Sequence, residues 1–257
     1  MQLLILFAVG AMIGSFLNVC ILRIPQEESI VFPGSRCVSC RKPIAWFDNI
    51  PLVSFFVLKR KCRRCGQKIS WQYFIVEFLT ALLFVVFFKV FGWTVKTPVY
   101  LALTLGLLVQ GVIDWRYKII PDEITLPGII LGVAASAFIP TLHGEFFWWR
   151  GLAQALIGTA VGGGLLIAVG TLAGWLMKKE AMGGGDVKLL AMIGAVTGWP
   201  GVLWTVFASS LIGTVVGLYL RWKKGEELIP FGPFLALGAF LYLFFGKEVI
   251  GWYLRTL

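Results

Sequence analysis

The sequence predicts an all-α polytopic membrane protein with about eight transmembrane segments and a small cytoplasmic loop domain between the first two. Three observations carry this. Hydrophobic residues make up 58% of the 257, against about 45–50% in soluble domains. Charged residues make up only 14%, against a usual value of about 25%. The apolar residues gather into long runs, and the mean hydropathy is +0.86. A soluble single-domain enzyme, a disordered chain and a disulfide-rich secreted module are excluded.

A membrane helix needs about 20 mostly apolar residues. Such runs lie at 3–22, 71–91, 98–113, 124–142, 151–177, 189–198, 201–220 and 231–246. The run 189–198 is about 15 Å long as a helix, too short to span alone. It is extended by its flanks, tilted or re-entrant. The first run has no basic stretch before it and a basic loop after it, so it is expected to be a retained span with Met1 outside.

With eight crossings, the inside loops are 23–70, 114–123, 178–188 and 221–230. They hold 18 of the 23 Lys and Arg residues. This bias is the positive-inside pattern. The net charge of +10 therefore reads as a cytoplasmic face against anionic membrane lipid, not as a nucleic-acid footprint. Loop 23–70 alone carries +7 of it, and it is too long for a connector. The expected organisation is a first helix (1–22), a cytoplasmic cysteine-bearing domain (23–70) and a transmembrane region (71–257).

Loop 23–70 contains Cys37-Val38-Ser39-Cys40 and Cys62-Arg63-Arg64-Cys65-Gly66, with 21 residues between the pairs. Four thiolates from two tight turns can close a tetrahedral zinc site. Disulfides are disfavoured in reducing cytoplasm. An iron–sulfur cluster or a redox pair is the alternative. All four positions are filled by protein, so such a metal is structural. Cys20 falls in the first span and reads as a small buried apolar residue.

The single histidine, His143, falls outside, which argues against a Ser-His or Cys-His hydrolase. Proton chemistry is left to carboxylates in or beside the spans: Glu77, Asp114, Asp122, Glu123 and Asp186. Acids at membrane depth are costly and point to function. Asp114 ends the third run, and Asp186 follows Gly183-Gly184-Gly185. Both fall at the cytoplasmic edge. Two carboxylates that meet can share a proton, one activating water while the other polarises a peptide carbonyl. Taken singly, Asp114 reads as an exposed helix-end acid neutralised by Arg116 or Lys118, and Asp186 as a helix N-cap. Together, on one face and without a usable histidine, they favour an aspartic protease dyad. Glu77 is paired with another span, lines a polar pocket or is neutral. Asp122 and Glu123 suit a helix start, and Asp122 is also placed to assist the dyad.

Several ordered motifs carry a family resemblance. They are Gly14-Ser15-Phe16-Leu17-Asn18-Val19, Phe32-Pro33-Gly34-Ser35, Asp48-Asn49-Ile50-Pro51, Val76-Glu77-Phe78-Leu79-Thr80, the 114–122 stretch, the 183–190 stretch and Phe231-Gly232-Pro233-Phe234. With them the chain resembles the bacterial type IV prepilin peptidases, which are bifunctional leader peptidase/N-methyltransferases. Gly183-x-Gly185-Asp186 matches the GxGD signature shared with presenilin-like intramembrane proteases.

The resemblance implies a cell inner-membrane enzyme that cleaves the basic leader of type IV prepilins and type II secretion pseudopilins on the cytoplasmic side. It implies N-methylation of the new terminus with S-adenosylmethionine. It maps the catalytic aspartates onto Asp114 and Asp186, and the zinc ligands onto Cys37, Cys40, Cys62 and Cys65. Methyl transfer is associated with the cysteine-bearing domain and its flanking helices. Asp48, Asn49 and Glu77 are the candidates for the methyl-donor pocket. Val38 stands where the family often has proline, and Phe74-Ile75 where it often has Tyr-Pro. Neither departure touches a ligand or catalytic position. The competing readings are a presenilin-like protease without methylation, and a transporter that relays protons through membrane acids. The cysteine loop argues against the first. The placing of both aspartates at one edge, away from the midplane, argues against the second.

Overall fold

The chain is helical throughout its long elements. The computed structural model describes residues 1–177, 182–224 and 229–256. Among them no strand forms; the only ladder-like pairings are single bridges between Arg36 and Pro43 and between Lys61 and Lys68. Residues 178–181 and 225–228, parts of two loops expected inside, lie outside the described residues. The chain divides into two compact units, Met1–Thr97 and Pro98–Leu257.

The first unit holds α1 (Gln2–Arg23), a 3-10 turn Trp46–Asn49, the short α2 (Val53–Val57) and α3 (Trp71–Phe91). α1 packs along α3. Small residues set how closely, because apolar side chains gain nothing from leaving lipid and association rests on close packing. A Cβ on Gly10 would stand 2.7 Å from Ala81 Cα, and one on Gly14 would stand 2.7 Å from Glu77 Cα. One turn further along the same face, the Asn18 amide donates to the Tyr73 carbonyl at 3.0 Å. Ser70 caps α3, its hydroxyl accepting from the Gln72 N–H. Arg23, counted among the loop's basic residues, is buried, and its guanidinium donates to the carbonyls of Ser29 and Gly34 at 2.9 and 3.0 Å.

The second unit holds all but the first two residues of α4 (Lys96–Tyr117), then α5 (Asp122–Phe138), a 3-10 turn Pro140–His143, α6 (Trp148–Met177), α7 (Gly184–Lys224), α8 (Gly232–Leu241), a π turn Tyr242–Gly246 and α9 (Lys247–Thr256). α5 packs on α6 and α7, and α8 packs on α7. α6 and α7 approach backbone to backbone, since Cβ atoms on Gly158 and Gly162 would collide with the main chain at Gly194 and Leu190.

The two runs expected at 189–198 and 201–220 form two helical limbs of α7, parted at Gly198. α7 breaks at Gly198, with φ 71 and ψ −180, a backbone state open chiefly to glycine. Pro200 follows and cannot donate back into the preceding turn. The first limb begins at Gly184, five residues before the expected start, and is about 21 Å long.

α1, α3, α4, α6 and α7 are each long and apolar enough to cross a membrane. α5 has 17 residues, and α8 with its π turn forms a shorter apolar helix. The protein is a multi-pass, all-helical membrane protein.

Candidate active site and candidate metal centre

Two carboxylates of the second unit lie near one another. α4 continues one turn past Asp114, to Tyr117, so the residue expected to end the span sits inside it. The turn closes when the Lys118 N–H donates to the Asp114 carbonyl at 2.9 Å, and Lys118 turns left-handed, φ 57. Asp114 is 6% exposed, which overturns the reading of an exposed helix-end acid. Its Oδ2 accepts the backbone N–H of Gly232 at 2.9 Å.

Asp186 is the third residue of α7 and not its cap; its N–H is donated to the Gly183 carbonyl. Its Oδ1 is buried and has no hydrogen-bond partner. The Asp114 and Asp186 carboxylates lie close enough for their charges to act on one another. Ile120 fills the space beside them. A Cβ on Gly185 would stand 2.8 Å from Ile120 Cβ, and one on Gly232 would stand 3.3 Å from Ile120 Cδ1. Two residues beyond Asp186, Lys188 Nζ donates to both carboxylate oxygens of Asp122, itself two residues beyond Ile120, at 2.8 and 2.7 Å. Asp122 thus ties the start of α5 to the first turn of α7, while Glu123 is exposed.

The roles of Gly232, Ile120 and Lys188 are not legible from residue type. Gly232 and Ile120 stand within recognised motifs, but a glycine N–H and an isoleucine contact have no chemical signature in a sequence. The sequence also does not reveal that His143 meets a serine, its Nε2 lying 2.9 Å from Ser136 Oγ. Ser136 is fully buried and donates its proton to the Ala195 carbonyl at 2.9 Å. With that proton spent, His143 must donate to Ser136, so it cannot act as the base of a hydrolase. The pair instead braces the bend of α7, where a Cβ on Gly198 would stand 3.1 Å from His143 Nδ1.

The first unit gathers the four cysteines. Each pair sits on the same kind of turn. The Cys37 N–H donates to the Lys42 carbonyl and Arg41 N–H to the Cys37 carbonyl; the Cys62 N–H donates to the Gln67 carbonyl and Gly66 N–H to the Cys62 carbonyl. The fifth residue of each turn is left-handed, Arg41 at φ 55 and Gly66 at φ 71. The four Sγ atoms all lie within 4.8 Å of one another, and Cys37 Sγ to Cys65 Sγ is 3.8 Å. Tetrahedral Zn–S bonds of about 2.3 Å put neighbouring sulfurs about 3.8 Å apart, whereas a disulfide needs about 2.05 Å. All four are free thiols, and the set could hold zinc. The N–H groups of Cys65 and then Arg64 point at the Cys62 sulfur and draw that thiol down to about 7. They favour the thiolate that a metal requires.

Of the methyl-donor candidates, Asp48 is bound by Arg63 of the second cysteine turn. Arg63 Nε donates to Oδ2 at 2.8 Å, and its Nη2 donates to Oδ1 at 2.7 Å. The hydrogen-bonded guanidinium holds the Asp48 carboxyl below the usual carboxylate range. Asn49, at the end of the 3-10 turn, is exposed. Glu77 is buried inside α3. It links α3 to two other segments: its Oε2 accepts the Leu52 N–H at 2.8 Å, and its own backbone abuts Gly14 of α1. Leu52 is strained, φ 63 and ψ −48. Strain of this kind persists only where surroundings enforce it, and it concentrates at functional sites.

A multi-pass helical protein with paired acids at a helix end and a four-cysteine loop is the class these elements define. The comparisons narrow it. The model of the bacterial peptidase A24 N-terminal domain matches residues 8–91, and that of the type IV leader peptidase family matches residues 101–218. A Pseudomonas putida protein named prepilin leader peptidase/N-methyltransferase is 34% identical over 269 residues, covering 93% of this chain and 89% of its own length. A Pseudomonas aeruginosa protein of the same name is 35% identical over 272 residues, covering 96% and 91%. One from Myxococcus xanthus is 39% identical over 222 residues, covering 86% of this chain and 64% of its own length. No solved structure matches. The chain belongs to the type IV leader peptidase family.

Proposed function

We propose that this protein is a bifunctional prepilin leader peptidase and N-methyltransferase. The observation that supports the peptidase reading is the convergence on Ile120 of Gly185, the neighbour of Asp186, and Gly232, whose N–H binds Asp114, which draws together two acids 72 residues apart in the chain. Two neighbouring carboxylates, one of them buried, hold one proton between them. The ionised partner takes a proton from water, which attacks the scissile peptide carbonyl. The protonated partner donates to that carbonyl oxygen; as the tetrahedral adduct collapses, the first aspartate gives the proton taken from water to the leaving amine and the second takes a hydroxyl proton back. The Gly232 N–H keeps Asp114 aimed. The substrates are prepilins or type II secretion pseudopilins, cut between a basic leader and the mature terminus. The presenilin-like reading without methyl transfer is not favoured, because the relatives are named for both activities.

Methyl transfer belongs to the domain 23–70 and its flanking helices, and cleavage to the region 71–257. Zinc bound by Cys37, Cys40, Cys62 and Cys65 cross-links a loop too small to have a core of its own. The methyl donor is S-adenosylmethionine. Of the three candidates, Glu77 and Asn49 suit a ligand with a sulfonium charge and ribose hydroxyls, whereas the Asp48 carboxylate is held by Arg63 and would act through that pair. When bound, that ligand supplies an electrophilic methyl group. The protein's part is to hold it and to present the new amino terminus. The enzyme sits in the inner membrane, with the cysteine loop and both aspartates on the cytoplasmic side. The 18 basic residues in the inside loops support this orientation.

The deciding experiment is mass spectrometry of a prepilin incubated with the purified enzyme, with and without S-adenosylmethionine. Loss of the leader in both, and a methyl increment only with the donor, is expected. An intact prepilin defeats the peptidase reading; a processed but unmethylated product defeats the methyltransferase reading.

A further inference from the structure

The cysteine-bearing loop has an apolar face that its own packing does not use. α2 reads Val53-Ser54-Phe55-Phe56-Val57, with no charge in a domain of ten basic residues. Phe55 points inward and is buried. Val53, Phe56 and Val57, at i, i+3 and i+4, share the opposite face and are 54%, 62% and 66% exposed. The one polar side chain, Ser54, is turned back to donate to the Phe47 carbonyl. A helix wetted by water would carry polar residues on that face.

Its position says what covers the face. Phe55 and Phe56 pack against the first turn of α3: the Phe55 ring lies tilted 5.0 Å from Trp71 and 5.2 Å from Phe74, and the Phe56 ring lies edge-on 5.2 Å from Phe74. Trp71 heads an exposed stripe of α3 that continues through Ile75, Phe78 and Leu82, the surface a spanning helix gives to lipid. The Arg60 guanidinium lies over the Trp71 ring at 4.8 Å, a cation and an amphipathic ring of the kind found at headgroup level. Lys59 and Lys61, on either side, are exposed. The apolar face of α2 is therefore continuous with the lipid-facing stripe of α3, and basic residues follow it directly.

We infer that α2 is a membrane-interface wedge: Val53, Phe56 and Val57 enter the boundary between acyl chains and headgroups, and Lys59, Arg60 and Lys61 engage anionic headgroups beside them. The combination of an apolar helix face with adjacent basic residues is that of a monotopic anchor. It would hold the zinc loop down at the membrane surface, where the end of a membrane-embedded substrate emerges.

The test uses the full chain in nanodiscs whose lipids carry a photoactivated carbene precursor high on the acyl chain. Adducts are located by peptide mass spectrometry. In phosphatidylglycerol, residues 53–57 are expected to be labelled as heavily as the α3 stripe. In phosphatidylcholine, their labelling falls about fivefold for loss of attraction worth that of a single basic residue, while the stripe is unchanged. V53E together with V57E abolishes the α2 adducts, and V53L with V57L retains them. Bound zinc and stripe labelling confirm that each variant is folded. An unlabelled α2 beside a labelled stripe overturns the wedge, as does labelling indifferent to lipid charge. A bifunctional cross-linker joining α2 to a second copy or to a pilin peptide, with no lipid adducts, assigns the face to protein and also overturns it. None of these readouts depends on peptidase or methyltransferase activity.

Discussion

The backbone N–H of Gly232 donates to Asp114 Oδ2 at 2.9 Å, joining residues 118 positions apart. A Cβ at Gly232 would stand 2.6 Å from that same oxygen, so the contact is open only to glycine. Gly232→Ala is expected to displace the Asp114 carboxylate and slow leader cleavage by about 10²-fold, the cost of a misplacement near 1 Å. Initial rates on a prepilin at matched membrane abundance measure it. A rate within twofold of wild type would remove Gly232 from the site.

Asp114→Asn and Asp186→Asn each keep the shape of the site and remove its ability to hold a transferable proton. Cleavage should fall by at least about 10²-fold in each, with normal insertion and abundance. The double variant should be little worse than either single one, since the pair acts as a unit. Persistent cleavage in both single variants sinks the dyad assignment.

The Asp122–Lys188 pair is half in water, its side chains 50% and 42% exposed. Such a pair contributes about 0.2–1 kcal/mol to stability, so its loss should barely change melting. It nevertheless fixes the turn that carries Asp186. Asp122→Lys should lower kcat more than it raises KM, and adding Lys188→Asp should restore much of the rate. A double variant as slow as the single one counts against the positioning role.

Zinc retention should depend on acidity. Cys62 is lowered from 9.0 to about 7, so the folded turn favours its thiolate. For a lowered group the stabilisation is fully present above the ordinary value, near 9, and is lost as pH falls through about 7. Protons and zinc compete for the same sulfur. Occupancy against a chelator, corrected for the chelator's own protonation, should fall as pH drops through that range. Cys62→Ser should lose the metal, destabilise the loop and lower methylation. Full methylation by a zinc-free variant would end the structural-metal assignment.

Gly14 lies against the backbone of Glu77, with 2.7 Å between a would-be Cβ and Glu77 Cα. Gly14→Leu should push α1 off α3 at a cost of about 1–3 kcal/mol and shift Glu77 away from Leu52. Methylation is expected to fall more than cleavage. Equal loss of both would show that the variant merely misfolds.

Much of this protein is legible in one dimension. Membrane class, helical composition and the four-cysteine set follow from run length, charge content and spacing, because lipid demands long apolar helices and zinc demands four donors on short turns. The two acids stand out for the same reason: charge is scarce in such a chain. Tertiary structure alone decided the rest. It buried Asp114 one turn inside α4, parted the two limbs of α7 at Gly198, brought Gly232 and Ile120 to the acids, and paired Lys188 with Asp122. It also gave the lone histidine to a structural serine and committed Asp48 to Arg63. These are choices of partner between distant segments. Side-chain type states what a residue can bond to, and only packing settles which of those bonds is made.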